Sequence, residues 1–96
     1  MVYILLGPGF EEAEALVPAD LLRRAGIETA LVSLEGNSVT ESHQITVKSD
    51  LELSQVSLDR AEMLVLPGGG RGVENLEKSP EVESLVRAAA ERKNPL

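Results

Sequence analysis

A chain of 96 residues has room for one domain, residues 1–96, and buries roughly 60–65% of its unfolded surface on folding. Sixteen acidic residues against nine basic ones give a net charge of −7, which argues against a basic face for nucleic acid. With no cysteine and one histidine, His43, these residues hold no disulfide framework and no thiolate, and a zinc site is not expected.

Only two aromatic residues, Tyr3 and Phe10, are present, too few for a base-stacking platform. No segment reaches the ~20 apolar residues of a membrane span. The N-terminal apolar run has no basic stretch before it, so it reads as a strand and not as a signal peptide, and a cytoplasmic protein is expected.

Val2–Leu6 (VYILL) is apolar without alternation, the pattern of a strand covered on both faces of a parallel sheet. GPGF breaks it, and the acidic segment EEAEALVPADLLRRAG then predicts a helix. Glu11, Glu12 and Glu14 crowd its positive end, and Gly26 closes it after Arg23 and Arg24. Ala13, Leu16, Val17, Leu21 and Ala25 fall near a 3.6-residue period and predict the buried face. Pro18 cannot donate to the carbonyl of Glu14, which predicts a kink. The kink is either a tolerated irregularity or a device that aims Glu14.

Glu28–Leu34 reads as the second strand and EGNS as a turn. SVT and QITVKSD predict a small hairpin or an edge strand, since Ile45 and Val47 alternate with Thr46 and Lys48. SLDRAE connects to a further buried strand, MLVLP. Ser79 and Pro80 form an N-cap and N1 pair opening a helix with Val82, Leu85, Val86 and Ala89 on one stripe, which Asn94 and Pro95 stop. The order β-α-β-(β-β)-β-α predicts an α/β fold with an open, largely parallel sheet.

In such sheets, sites lie beyond the carboxyl ends of the strands. Two loops leave such ends, GPGFEEAE after the first strand and PGGGRG after MLVL. Gly68, Gly69 and Gly70 can bring backbone N–H groups close to an anion or a developing oxyanion, or they form a plain turn. No Lys-Ser/Thr pair follows them, which argues against a phosphate loop. Glu11 and Glu12 suit helix-end electrostatics. Glu14 shares a helical face with Val17, Leu21 and Ala25, so it is expected to be buried, with a raised pKa and a proton to donate. His43 has no partner at motif spacing and is expected on a rim or surface.

Together, FEEAEALVPADLLRRAGIETALVSLEG, SHQITVKSD and LVLPGGGRGVENL resemble the ThiJ/PfpI superfamily, in particular its branch of Parkinson-disease-linked protein deglycases and bacterial relatives. The resemblance runs over essentially the whole chain with the motifs in family order. It implies a flavodoxin-like three-layer sandwich, commonly a homodimer, and a reactive cysteine on a strand-to-helix elbow. It implies that Glu14 hydrogen-bonds the cysteine sulfur and that Gly69 supplies an oxyanion-hole N–H. Gly68, Gly70 and His43 are then expected to line a site for a small carbonyl-type substrate, with no cofactor and no metal.

Family activities include glyoxalase and deglycase reactions, peptidase activity in one branch, and chaperone or oxidative-stress roles. Members of that family run to about twice this length, and their cysteine lies beyond the position matching Leu96. This chain is therefore expected to be the N-terminal half of the fold, completed by a C-terminal polypeptide carrying the nucleophile. The alternative is a non-catalytic α/β binding or assembly module derived from that fold. A small flavodoxin-like or receiver-like domain is a third reading, opposed by the first loop, which has no paired aspartates for magnesium.

Overall fold

The computed structural model describes residues 1–92. The strands are β1 (Val2–Leu6), β2 (Thr29–Ser33), β3 (Ser38–Thr40), β4 (Thr46–Lys48), β5 (Leu51–Glu52) and β6 (Met63–Val65). The helices are α1 (Glu12–Arg24), α2 (Gly70–Lys78) and α3 (Pro80–Glu91). A parallel sheet runs β5-β2-β1-β6, and β3 and β4 form a separate antiparallel hairpin. Among the described residues no helix is long and apolar enough to cross a membrane.

All five residues of β1 are buried because both of its faces are covered. Tyr3 and Leu5 point to one layer, where they meet Ala30, Val32, Leu64, Leu76 of α2, and Val82 and Ala89 of α3. Val2, Ile4 and Leu6 point to the other, against Phe10, Leu31, Ala15 and Ala19 of α1, and Val39 of the hairpin. The result is a three-layer α/β sandwich of flavodoxin-like architecture. Each large apolar side chain buried here contributes about 1.5–3 kcal/mol.

Several expectations are corrected. The face that α1 presents to the sheet is Ala15, Ala19 and, partly, Leu16 and Leu22, not the Val17–Leu21–Ala25 stripe. Small residues at i and i+4 let the helix lie close to β1, while Val17 and Leu21 are more than half exposed. Pro18 lies inside α1, as expected. The segment after the glycines is a helix, α2, with Gly69 at its N-cap. A short strand, β5, and a 3₁₀ turn, Leu53–Gln55, occupy a stretch in which neither was expected.

Ser79 caps α3 as expected: its Oγ accepts the Val82 N–H at 3.2 Å. It is also the residue that closes α2, so the two helices share one hinge residue. The helix stop expected at Asn94 and Pro95 lies outside the described residues.

Candidate functional site

The order β5-β2-β1-β6 reverses chain direction across the sheet between β1 and β6, so loops leaving their carboxyl ends part to opposite faces and open a crevice. The loops that meet there are Gly7–Glu11 and Leu66–Gly69. The Glu11 N–H donates to the Gly68 carbonyl at 3.0 Å, and the Gly68 N–H donates to Glu14 Oε1 at 3.3 Å. Asn75 of α2 reaches back and donates to the Pro8 carbonyl at 2.6 Å. Two segments more than fifty residues apart in sequence are thereby joined into one rim.

Glycine is required at the centre of this contact for two reasons. Gly69 has φ +101°, which side chains rarely tolerate, and a Cβ there would lie 2.7 Å from the Glu11 nitrogen and 3.0 Å from the Gly9 carbonyl oxygen. At Gly68 a Cβ would meet the Glu14 carboxylate at 2.7 Å, so the bare backbone is what lets that side chain settle. The Gly69 N–H enters none of the hydrogen bonds found among the described residues. Gly70 is the first residue of α2, where backbone N–H groups gather at the positive end of a helix.

Glu14 is exposed, whereas Glu11 and Glu12 are half-buried, the reverse of the expected order. The helical register explains it: Ala15 faces the sheet, so Glu14 leans outward over Gly68 from the open side of α1. Glu11 caps α1, accepting the Ala13 N–H at 3.4 Å.

His43 stands at the tip of the β3–β4 turn and is exposed, as expected for a rim residue. It does have partners. Its Nδ1 lies 3.0 Å from Glu12 Oε1 and 3.3 Å from Glu41 Oε2. Hydrogen bonding to Glu12, that carboxylate's charge and then Glu41 raise the His43 pKa above its ordinary value. Hydrogen bonding with Glu41 and then with His43 lowers the pKa of Glu12. The Glu41 side chain is fully buried, and its Oε1 accepts the Ile45 N–H at 2.6 Å. Sequence reasoning missed Glu41, because nothing in the spacing of Glu12, Glu41 and His43 signals that the hairpin folds back onto α1.

Glu11, Glu12 and His43 bring one donor atom each within 4.8 Å of one another. Of these, Glu12 and His43 are hydrogen-bonded to each other, Nδ1 also faces Glu41, and the positive end of α1 disfavours a cation there. Beside this cluster a cleft of about 400 Å³ runs between Gly9, the β3–β4 turn and Arg71.

Comparison with known proteins gives the chain its family. A family profile described as the DJ-1/PfpI family matches residues 1–96. This chain belongs to the DJ-1/PfpI family. It is 37% identical over 86 residues to Protein dj-1beta of Drosophila melanogaster, covering 88% of this chain and 46% of that protein. It is 33% identical over 88 residues to a deglycase of Thermococcus kodakarensis, covering 92% of this chain and 48% of the relative. Among solved structures, a cysteine-to-alanine mutant of a DJ-1 superfamily protein from Salmonella typhimurium superposes with a TM-score of 0.91 at 36% identity. That match covers 98% of this chain and 53% of the other. The chain thus spans about half the length of the DJ-1/PfpI relatives it matches.

Proposed function

We propose that this chain, as the N-terminal portion of a single DJ-1/PfpI domain, supplies the acid and the oxyanion loop of a cysteine-dependent site, and that a complementary C-terminal polypeptide supplies the thiolate. The observation that carries the reading is the Glu14 carboxylate seated on Gly68 beside the Gly69 N–H, at the point where β1 and β6 part. In this reading the incoming sulfur adds to the carbonyl carbon of a small glycation-type adduct. The carbonyl π pair moves to oxygen, and the Gly69 N–H donates to the oxyanion that forms. Glu14 is the acid that passes a proton to the tetrahedral oxygen or the leaving group. Gly68 and Gly70 shape the loop, and His43 lies on the substrate rim.

The proposed partner has a surface to meet. Among the described residues β6 pairs only with β1, so its outer edge offers free N–H and C=O groups. Next to that edge Leu66, Pro67, Val73, Leu76, Val82 and Val86 line an apolar groove of about 520 Å³. Exposed Val17 and Leu21 on α1 and Ile45 on the hairpin turn support self-association of the assembled protein, and the deglycase names among the relatives favour glycation-adduct chemistry; a cytoplasmic oxidative-stress role belongs to the same reading.

The test is to purify the chain alone and together with the cysteine-bearing polypeptide encoded next to it, measuring solution mass and glyoxalase or deglycase turnover. We expect no turnover from the chain alone, and turnover abolished by thiol alkylation in the complex. Activity in the chain alone, or an assembled complex without thiol-dependent activity, overturns the reading. The second outcome favours the non-catalytic assembly module, for which the exposure of Glu14 is the supporting observation.

A further inference from the structure

We propose that a proton-operated clasp holds the β3–β4 turn on the crevice rim, with the His43 imidazolium bridging Glu12 at the start of α1 and Glu41 on the turn itself. His43 is a positioning residue in this proposal: it acts through the turn and through the first turn of α1, which also carries Glu14.

Three observations carry it. The imidazole Nδ1 sits within 3.3 Å of carboxylate oxygens from two elements, one on α1 and one on the turn. Glu41 is fully buried with one oxygen fixed by the Ile45 N–H, so its other oxygen has a set direction, toward His43. The turn also rests on the β1–α1 loop through two backbone bonds, Gly9 N–H to the Thr40 carbonyl at 2.8 Å and Ser42 N–H to the Phe10 carbonyl at 2.9 Å. Tightening or loosening the turn therefore moves the wall of the cleft formed by Gly9, Thr40, Ser42 and Arg71.

The charges facing His43 decide the direction. Glu12 approaches from α1 with Glu11 beside it, and Glu41 from the turn; Arg71, on α2, lines the neighbouring cleft with Glu41. A buried carboxylate beside a second carboxylate is costly unless a positive charge sits between them. Protonated His43 provides that charge. Once His43 is neutral, its single Nδ1–H can still serve one carboxylate, but the positive charge that faced both acids is gone.

The His43 pKa is raised by its partners, so its contribution is fully present below the ordinary value of 6.5 and is lost as pH rises through the higher, folded value. The Glu12 pKa is lowered from 4.5, so its contribution is lost only as pH falls through that lower value. The clasp is closed between those two limits and opens on the alkaline side.

His43 is the only histidine of the chain, so histidine labelled at ring Cε1 gives one NMR signal, whether the chain is alone or in a complex with an unlabelled partner. We expect that signal to titrate above 6.5, and Glu12→Gln and Glu41→Gln each to bring it down. Amide exchange at Ser42, Ile45 and Gly9, corrected for intrinsic rates, should accelerate about two- to fivefold across the same pH range, the size expected of exposed ion pairs. His43→Lys should keep the slow exchange at the alkaline end, and His43→Gln should be fast throughout. A His43 titration at or below 6.5, one unmoved by Glu12→Gln, or exchange at the turn that ignores pH would overturn the proposal. None of these readouts involves the thiol chemistry, so the clasp and the proposed reaction fail separately.

Discussion

Replacing Gly69 with alanine tests whether the two crevice loops meet as described. Two costs are written into the position. The backbone at φ +101° and ψ +124° is one that only glycine adopts readily, and holding a side chain there costs about 1–3 kcal/mol. The new Cβ would also stand 2.7 Å from the Glu11 nitrogen, 3.0 Å from the Gly9 oxygen and 3.1 Å from the Phe10 carbonyl carbon. All three are backbone atoms, which cannot swing aside as a side chain would, and such overpacking costs about 1–3 kcal/mol. Gly26→Ala is the matched control, because Gly26 also has positive φ, +78°, but nothing lies within 4 Å of its added Cβ. It isolates the conformational cost, about 1–2 kcal/mol. Urea denaturation of the two variants should therefore separate them by about 1–4 kcal/mol, with Gly69→Ala the weaker. At about 4–8 °C per kcal/mol for a domain of this size, thermal melts would resolve the difference. If Gly69→Ala were no less stable than Gly26→Ala, the Glu11–Gly68–Gly69 contact would not exist in solution.

Glu14→Gln preserves an acceptor for the Gly68 N–H, so its stability should lie within about 0.5 kcal/mol of the parent, as for other surface changes. In the assembled protein the same change should depress both turnover and cysteine oxidation, followed by kinetics and by mass spectrometry. Ser79→Ala removes the oxygen that accepts the Val82 N–H and should cost about 1 kcal/mol in a denaturation experiment. Val73→Glu places a charge in the apolar groove beside β6 at a residue already 39% exposed, so the fold should tolerate it. Sedimentation should show weaker association with the proposed cysteine-bearing polypeptide; unchanged association would mean that such a partner docks elsewhere.

Periodicity and turn chemistry made β1, β2, the hairpin, β6 and the capped start of α3 legible in the sequence, because each owes its structure to local pattern. The helix α2 was hidden. Its first three residues, Gly70, Arg71 and Gly72, have the composition of a loop, and what makes them helical is packing of Leu76 into the core. The buried face of α1 is obscured in the sequence for a related reason. Val17 and Leu21 outrank Ala15 and Ala19 in hydrophobicity, yet close approach to β1 selects the smaller pair. Loop chemistry and the family motif together single out Glu14, Gly68 and Gly69 as candidates in the sequence. The Glu12–Glu41–His43 cluster is not singled out there, since its members come from elements that only the tertiary fold brings together.

The central place of β1 in the sheet also sets the order in which the crevice can arise. Its pairing with β2 closes the short β1–α1–β2 unit, whereas its pairing with β6, Val2 opposite Met63, must close a much longer loop. Non-local closures carry the larger entropic barrier and so lag behind local ones. The Glu14–Gly68 contact, 54 residues apart in sequence, is available only after that second closure. A nascent chain that has emerged as far as the hairpin can already be collapsed and helical, but it has no crevice. The crevice rim is thus present only on molecules whose sheet has been threaded through to β6, which makes it a late checkpoint on the folding route.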